Sequence, residues 1–575
     1  AINEFGFRFF LISAIHELKR YKLEVFKSEH VIINIPEQSR EEQYQVWLHI
    51  NNINSEKEKE LKDQLKKIDL IPKLILIISI NKENKQYLME SLNSIKNQIY
   101  SKVEIWLNVP TSITEEVNNI LKKASSEEFK IQQRNYIQDI LANAGGDFVM
   151  FMNSGDVLTK DASFRMIQFL NKFPDTDIIY SDEDRIDPNG IRSEPFFKPD
   201  WSPDTFLCLD YISNFYIVKQ NLLGEYKIID EYGNAKHYDL LLKISEKHKK
   251  IVHIPTILVS IRKINYLQSK DSFEEYGSIV ISNALKRRNI DGKVDKGIIA
   301  HTFRPVYNLK NNPKVSIIIP TKDNKGLLVR CINSLKKTEY KNFEIIIIDN
   351  GSVKTETRSY LKSLPYLVLK YNSQFNFAKM NNVAASRATG DYLLFMNDDV
   401  AVLEPTWLTE MLSVCQLNEV GVVGPKLVYA HNTIQHAGIS FLKTGAGFHP
   451  LTGVPSDSDA YFGFLNIIRN CSAVTGACLL IKKKLFEDVG GFDEKFDLYY
   501  NDADLCQKVA SKGYKIVYTP FAKLLHQGAS TIKEYSSSFF AVENWYHFIK
   551  KWPLLKNGDP FYNPNLGWDY KLELN

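Results

Sequence analysis

Short apolar runs alternate with amphipathic segments along most of this chain. LILIISI, VEIWLNV and DFVMFMN occur in the first half, and VSIIIP, FEIIIID and YLLFMND occur in the second. Apolar runs without polar alternation are typical of strands that are buried on both faces of a sheet. The segments at 87–96 and 327–336 have helical patterns instead. The pattern therefore predicts an α/β fold with Rossmann-like, mostly parallel sheets.

The two halves show the same pattern because part of the sequence is repeated. PKLILIISINKEN and GDFVMFMNSGDVL in the first half correspond to PKVSIIIPTKDN and GDYLLFMNDDVAV in the second. Solenoid units are far shorter, so a repeat of this length predicts two copies of one α/β domain. We predict a helical segment over 1–70, a first domain over 71–265, a linker over 266–312, a second domain over 313–535 and an aromatic tail over 536–575.

The N-terminal segment has apolar residues at helical spacing. Phe9, Leu11, Ile12, Ile15 and Leu18 would share one face of a helix. We interpret this face as packing on the neighbouring domain, with attachment to a membrane surface as the alternative. No run reaches the roughly 18 apolar residues that predict a spanning helix. The chain opens on AINEFGFRFF, without an initiator Met or a signal-peptide pattern, so we expect a piece of a longer protein.

Composition and charge narrow the range of functions. The 575 residues suffice for roughly three or four domain-sized units. With 44% hydrophobic and 24% charged residues, the chain is ordinary for a globular protein. A net charge of +4 does not indicate a nucleic-acid partner, which would show a concentrated basic stripe. The six cysteines form no CxxC pair, which indicates reduced, buried thiols in a cytoplasmic protein.

Acidic residues follow the apolar runs of the second half. Asp349 ends the second of these runs, and Asp398 and Asp399 follow the fourth. Ligands of doubly wound sheets bind beyond the carboxyl ends of the strands, so we expect these acids at one crevice. Adjacent carboxylates repel each other unless a cation lies beside them, and Mg²⁺ or Mn²⁺ suits such a pair. Each acid taken alone is more often a helix cap or a turn residue.

Two more acids and a histidine come later in the chain. Asp502 and Asp504 lie in the first turn of a helix predicted over DADLCQKVASKGY, and His526 follows the last apolar run. We expect Asp504 to cap this helix, which leaves Asp502 to point into the crevice. A carboxylate there can take a proton from a sugar hydroxyl. His526 is either a third metal ligand or an ordinary packed histidine.

In order and spacing, these motifs resemble a known family. VSIIIPTKDN, FEIIIIDNGS, FNFAKMNNVAASRATGDYLLFMNDD, QHAG, NCSAVTGACLLIKKKLFEDVGGFDE and NDADLC resemble the family 2 glycosyltransferases with the GT-A fold, particularly those that build bacterial O-antigens and related surface polysaccharides. The resemblance covers residues 313–530. It implies an inverting hexosyl- or deoxyhexosyltransferase that uses a UDP- or dTDP-linked sugar and Mn²⁺ or Mg²⁺. It also implies a lipid-linked or oligosaccharide acceptor at the inner face of the cytoplasmic membrane.

The resemblance implies a donor-binding role for five residues. Asp349 would bind the imide N–H of a uracil or thymine base. Pro320 and Thr321 would lie beside that base through their backbone, and Asp323 would complete this part of the site. Asp398 would approach the ribose or the metal-bound diphosphate.

The resemblance also implies the metal ligands and the base. Asp399 would bind the divalent ion, His526 would complete the metal site, and Asp502 would be the catalytic base. Two positions depart from the family pattern. Asn397 stands where a full Asp-x-Asp motif would begin, and Asn501 replaces the acid that often precedes the base. The VTGAC segment either shapes the acceptor side or allows close packing, and QHAG is interpreted as structural.

The first copy resembles the same family but lacks most of these groups. WLNVP stands in place of IIIIDNGS, and only Asp156 remains of the metal acids. His237 stands at the place of Asp502, and VSIRK replaces the segment with the last histidine. The acids of YSDEDRID are nevertheless present. We expect a degenerate first domain that serves as a scaffold, in dimerisation or in acceptor binding, with an active domain of unusual donor binding as the alternative.

Three hypotheses describe the whole protein. The first is a metal-dependent inverting glycosyltransferase that extends a surface polysaccharide. The second is a bifunctional polymerase with both domains active, and the third is a non-catalytic nucleotide- or glycan-binding assembly module. The acids of the second copy favour an enzyme, because binding alone does not require Asp502. The missing acids of the first copy count against a bifunctional polymerase.

Overall fold

The structure is a computed structural model of the chain. It describes residues 40–69, 71–100, 102–123, 131–134, 137–528, 538–567 and 570. Two helices open this part of the chain, α1 (Arg40–Asn51) and α2 (Ser55–Leu65). They agree with the helical segment predicted there, whereas the apolar face predicted between residues 9 and 18 lies outside the described residues.

The first α/β unit is built on a nine-stranded sheet. Its strands are β1 (Leu74–Ser79), β2 (Val103–Asn108), β3 (Ile131–Arg134), β4 (Phe148–Asn153), β5 (Val157–Leu158), β6 (Ile178–Ile186), β7 (Arg192–Phe196), β8 (Tyr216–Lys219) and β9 (Ile251–Arg262). Its helices are α3 (Leu88–Lys96), α4 (Thr114–Lys123), α5 (Ile137–Asn143), α6 (Ala162–Lys172), α7 (Pro203–Phe206), α8 (Gln220–Glu225) and α9 (Ala235–Lys247).

The central strand β1 of this sheet is covered on both faces. In β1, Ile75 and Ile77 belong to one hydrophobic cluster, and Leu74 and Leu76 belong to another. A strand whose alternate side chains enter two separate cores needs an apolar residue at every position. This requirement explains why the run LILIISI has no polar alternation.

The connection between the units is more regular than the sequence predicts. A 25-residue helix, α10 (Lys263–Arg287), begins immediately after β9 and forms the first half of the region predicted to be a linker. An antiparallel pair, β10 (Gly292–Lys296) with β11 (Phe303–Tyr307), follows it.

The second α/β unit is built on a ten-stranded sheet. The strands of this unit are β12 (Val315–Thr321), β13 (Phe343–Asp349), β14 (Leu367–Lys370), β15 (Tyr392–Met396), β16 (Val400–Val402), β17 (Val420–Val428), β18 (Ile434–His436), β19 (Ser440–Phe441), β20 (Gly447–Phe448), β21 (Arg469–Asn470), β22 (Cys478–Lys482) and β23 (Lys515–His526). Its helices are α11 (Lys325–Leu335), α12 (Thr355–Ser363), α13 (Phe377–Ala385), α14 (Trp407–Cys415), α15 (Lys483–Asp488) and α16 (Asn501–Ser511), and α17 (Ser538–Lys551) follows in the tail.

The two sheets have the same strand order. The first runs β3-β2-β1-β4-β8-β6-β9-β5, and the second runs β14-β13-β12-β15-β22-β17-β23-β16. Corresponding pairs also agree in direction: β1 is parallel to β2 and β4, as β12 is to β13 and β15, whereas β8 and β22 run antiparallel to their neighbours. The predicted α/β class is confirmed, with sheets of mixed direction. The shared order is what a duplicated domain would produce.

The C-terminal segment joins the two units. Asp559 accepts hydrogen bonds from Phe441 N and Ser472 Oγ in the second unit, both at 2.8 Å. A few residues later, Asn563 donates to the carboxylate of Asp182 in the first unit at 3.0 Å. The segment therefore holds the units together through buried polar contacts.

Two sequence-based expectations concern the chain as a whole. All six cysteines are buried and unpaired, which confirms the prediction of buried thiols. Within the described residues, no helix has both the length and the apolar character needed to cross a bilayer.

Candidate functional site

Two acids and a threonine of the second half lie at the carboxyl edge of its sheet. Thr321 at the end of β12 is paired in register with Asp349 at the end of β13. On the other side, the Thr321 hydroxyl donates a 2.7 Å hydrogen bond to Asp398, which follows β15. Asp349 and Asp398 are buried. The register of three adjacent strands therefore brings these side chains together.

The loop after β13 is shaped by the side chain of Asp349. Its Oδ1 accepts a 2.9 Å hydrogen bond from Ser352 N across Gly351, which has a φ of +68°. Asp323 ties the first strand-end loop to this one, because its Oδ1 accepts from Val353 N and Lys354 N at 2.9 and 2.8 Å. The carboxylate of Asp323 thus already has partners in the protein.

Asp398 and Asp399 are neighbouring carboxylates at this edge. Burial, with a further contribution from the carboxylate of Asp399, raises the pKa of Asp398 to about 7. The pairing of β16 with β23 places Val400 opposite His526. As a result, His526 Nε2 lies 3.2 Å from Asp399 Oδ1.

Two atoms of this pair are buried without a hydrogen bond. Among the described residues, neither Asp399 Oδ1 nor His526 Nδ1 makes a hydrogen bond of good geometry, although Oδ1 lies 3.2 Å from His526 Nε2. A buried carboxylate oxygen that accepts no well-aligned hydrogen bond is costly unless a cation or another group meets it. Mg²⁺ is usually held by one or two carboxylates together with substrate phosphates, so a small protein donor set suffices. The pair therefore fits a divalent ion.

The protein side of such a site would be small. Across the part of the chain that the structure describes, no group of three or more His, Cys, Asp or Glu side chains has the arrangement of a metal site. Asp399 and His526 would need ligands from a substrate to complete the coordination.

Asp502 lies beside the same strand ends. It is the second residue of α16, and its Oδ2 accepts a 2.8 Å hydrogen bond from Gly476 N. Its Oδ1 accepts from Ala503 N, also at 2.8 Å. The adjoining Ala477 carbonyl accepts from Asn397 N at 3.0 Å, which links this segment to the turn that carries Asp398. Contacts between neighbouring residues thus connect Asp349, Asp398 and Asp502 along one edge.

The environment of Asp502 raises its pKa. Burial disfavours the charged carboxylate, and the two backbone N–H groups oppose this effect only in part. Neither interpretation of VTGAC foresaw the role of Gly476, whose N–H orients an acid. A Cβ at this position would lie 3.4 Å from the Cβ of Asp502, close to ordinary van der Waals contact.

The predicted cap of α16 is wrong. The residue before the helix is Tyr500, which has a left-handed φ of +63°, and its side chain makes no capping bond. Asp504 is fully buried and binds the C-terminal segment instead. Its Oδ1 lies 2.8 Å from Lys551 Nζ and accepts from Trp552 Nε1 at 2.8 Å. Sequence reasoning missed this partnership because nearly fifty residues separate the groups.

A pair of buried histidines lies behind the site. His436 Nδ1 is 2.9 Å from His449 Nδ1, and Gly438 N donates to His436 Nε2 at 3.3 Å. Burial lowers the pKa of both imidazoles, with that of His449 near 4, and His526 contributes to both shifts. Both rings are therefore neutral at pH 7. The structural interpretation of QHAG agrees with this buried position.

The equivalent edge of the first unit is filled by protein groups. Asp156 Oδ1 accepts from Arg262 N at 2.9 Å and from Asn265 Nδ2 at 2.8 Å. Ser260 lies opposite Val157, where the second unit has His526 opposite Val400. The side chain of Arg262 donates to the carbonyl of Gly155 at 3.1 Å.

The base position of the first unit also differs. His237, near the start of α9, is buried, and its Nδ1 lies 3.0 Å from the Tyr216 hydroxyl. Burial lowers the pKa of this imidazole to about 3, so it is neutral. Three of the four acids of YSDEDRID (Asp182, Glu183 and Asp184) are fully buried and have protein partners. Glu183, for example, pairs with Lys198 Nζ at 2.8 Å.

Comparisons with known proteins bear on the second unit in particular. Residues 316–490 match the family model described as glycosyl transferase family 2. The chain is 32% identical over 516 residues to the O-antigen biosynthesis protein RfbC of Myxococcus xanthus, a match that covers 86% of this chain and 40% of that protein. It is 31% identical over 538 residues to the uncharacterized protein y4gI of Sinorhizobium fredii, covering 88% of this chain and 59% of that protein.

The chain thus spans about half the length of these two relatives. Among solved structures, a crystal structure of GalNAc-T7 with UDP, GalNAc and Mn²⁺ is similar at a TM-score of 0.35 and 16% identity. That similarity covers 43% of this chain and 50% of the other.

Proposed function

We propose, from the premise that this chain contains a family 2 glycosyltransferase domain, that it transfers a sugar from a nucleotide diphosphate sugar to a growing bacterial surface polysaccharide. The observation that carries the proposal is the series of contacts that joins Asp349, Asp398 and Asp502 along one sheet edge. The O-antigen role in the name of RfbC supports a polysaccharide product. A binding module would not need a buried acid with a raised pKa beside that edge.

The donor would lie over the ends of β12 and β13. Asp349 would accept the imide N–H of a uracil or thymine base, next to the backbone of Pro320 and Thr321. Asp398 would face the ribose or the diphosphate. Asp323 would act indirectly, since its bonds to Val353 N and Lys354 N hold the loop beside the base in place.

Asp399 and His526 would hold Mn²⁺ or Mg²⁺. Their buried atoms without hydrogen-bond partners support this assignment. When bound, such an ion neutralises the charge that grows on the leaving diphosphate. Among the described residues, the chain would supply these two ligands, so we expect metal and donor to bind together.

Asp502 would act as the general base. It would take the proton of an acceptor hydroxyl while that oxygen bonds to the anomeric carbon and the bond to the diphosphate breaks. Gly476 N and Ala503 N fix the carboxylate in place. A raised pKa makes the carboxylate a stronger base, which favours this role. A single base opposite the leaving group would invert the anomeric centre.

We assign the first unit a non-catalytic role. The position of His526 is taken by Ser260, and the position of Asp502 by a neutral, buried His237. The protein would work in the cytoplasm, at the inner face of the membrane, and its six unpaired thiols are consistent with a reducing compartment.

The proposal is tested with a panel of UDP- and dTDP-linked sugars and the purified chain. Release of the nucleoside diphosphate, measured with Mn²⁺ and after chelation, should identify one donor even without an acceptor. We expect one sugar nucleotide to be hydrolysed slowly and chelation to stop this release. Calorimetry should show weaker donor binding without the ion. Failure of every donor to bind would contradict the proposal.

A further inference from the structure

A cavity of about 540 Å³ lies between the two units, away from the edge that carries Asp502. It is lined by α10 and the YSDEDRID segment of the first unit, by the turn between β10 and β11, and by a loop of the second unit around Tyr461. Cavities of this size at domain interfaces commonly bind small molecules. Nothing in the proposed sugar transfer uses this space.

Aromatic rings form much of the cavity wall. Phe196 of the first unit stacks on Phe462 of the second, with ring centroids 4.1 Å apart and an interplanar angle of 28°. Tyr266, Phe273 and Tyr461 also line the cavity. Flat apolar faces beside polar groups suit a ligand that has an apolar face and a polar rim, such as a sugar ring.

A buried cation is present in the wall. Arg185 is 2% exposed, and its guanidinium lies 3.9 Å from the centre of the Tyr266 ring. One of its nitrogens donates to Glu183 Oε1 at 2.8 Å. Its Nε has no hydrogen-bond partner among the described residues. This buried donor is therefore available to an acceptor group of a ligand.

Two further cations line the same cavity. Arg40 lies over the ring of Tyr461 at 5.5 Å, and Lys270 Nζ lies over the ring of Tyr266 at 5.1 Å. Within the described part of the chain, we find no carboxylate paired with either one. The acids that line the cavity are Asp210 and Asp459. The cavity is therefore lined by three cations and two acids, and positive charge predominates by one.

We propose that this cavity binds an anionic saccharide, meaning a sugar ring that carries a carboxylate or a phosphate. The aromatic faces would contact the ring, and Arg185, Lys270 and Arg40 would meet the negative group. The choice of a sugar as the ligand rests on the proposed function, whereas the cavity and its charge do not. The carboxylate would come from a uronic acid in the glycan, and the phosphate from the end of a lipid-linked acceptor.

Binding is measured on the full chain by calorimetry and saturation-transfer NMR. Trigalacturonate and its methyl ester form one matched pair of probes, and glucose 1-phosphate and glucose form the other. We expect one anionic probe to bind at least about tenfold more tightly than its neutral partner. Raising the salt from about 50 to about 500 mM should weaken that binding. The pair that responds identifies the source of the charge.

Substitutions on α10 locate the binding. Ser269 lines the cavity, and Ser269→Trp would fill it. Leu267→Trp is the matched control, because Leu267 is 61% exposed on the same helix and lies outside the lining. Ser269→Trp should abolish binding and Leu267→Trp should preserve it. Lys270→Gln should weaken the binding of the anionic probe and leave the binding of the neutral probe unchanged.

The experiment separates this inference from the proposed function. Asp399→Asn alters the second unit and should bind the anionic probe like the wild type, even if sugar transfer is lost. The inference is overturned if neither anionic probe binds more tightly than its neutral partner, or if Ser269→Trp binds as well as Leu267→Trp. Circular dichroism of both tryptophan variants checks that each is folded.

Discussion

At the residue scale, the site depends on a few groups that orient a carboxylate. Asp502 is held by two backbone N–H groups, and burial raises its pKa. Neither N–H donor depends on a side chain, which is why the motif NDADLC indicates the acid but not what holds it. Its proposed chemistry depends on the charged carboxylate, and this can be tested directly.

Replacing Asp502 with Asn should leave donor binding intact and lower turnover by about 10²–10⁴-fold, the usual cost of losing a general base. The amide is similar in size but cannot accept the proton. In the wild type, the rate should fall as the pH drops through the raised pKa of Asp502. Turnover and calorimetric donor binding are measured on the same preparation. Asp488→Asn, at an exposed acid of α15, is the control, and equal rates for Asp502→Asn and wild type would exclude the assigned role.

The two units offer a second residue-scale comparison. Asp399→Asn should lower turnover at least about a hundredfold and weaken donor binding, because one of two metal ligands is lost. Asp156→Asn, at the equivalent edge of the first unit, should keep turnover within about twofold of wild type, since Asp156 only accepts hydrogen bonds from neighbouring protein groups. Melting temperatures show whether either variant is unstable. A large loss of activity in a stably folded Asp156→Asn would revive the bifunctional hypothesis.

At the scale of elements, the sequence predicted the strands correctly but not the residue at the start of helix α16. Apolar runs such as VSIIIP and FEIIIID predicted β12 and β13 because both faces of these strands are buried. The expected cap of α16 failed because Asp504 has a stronger partner far along the chain. A local rule cannot detect Lys551 and Trp552, whose approach depends on how the tail packs.

The hydrogen bond from Trp552, the residue after α17, to Asp504 should contribute to the stability of the fold. Trp552→Phe removes the N–H that Asp504 accepts and leaves a buried carboxylate oxygen with one partner fewer. We expect the free energy of unfolding to fall by about 1–3 kcal/mol. Urea unfolding measures it, with Tyr546→Phe as the control because Tyr546 is exposed on α17. If the two variants are equally stable, the tail does not anchor α16 through this bond.

At the scale of the whole molecule, the repeated strand order was visible in the sequence, whereas the contact between the units was not. The repeat predicted two similar sheets, and their strand orders match position by position. The segment FKPDWSPD of the first unit, residues 197–204, has no sequence pattern that indicates a partner. In the structure, its Asp204 accepts from Asn470 Nδ2 of the second unit at 2.7 Å. Such a contact depends on two surfaces that are hundreds of residues apart.

Asp204 therefore tests how the units are joined. It also pairs with Lys515 Nζ at 3.0 Å, and its side chain is 6% exposed. Asp204→Ala should lower the free energy of unfolding by about 1–3 kcal/mol, because it removes the acceptor of the buried Asn470 amide and leaves the Lys515 ammonium with Glu419 alone. Lys249→Ala breaks another pair between the units, with Glu419, in which the side chains are 68% and 59% exposed. An exposed pair contributes about 0–1 kcal/mol, so this control should hardly change stability. If urea unfolds both variants equally easily, the buried contact does not hold the units together. A separate early unfolding transition in Asp204→Ala alone would show that it does.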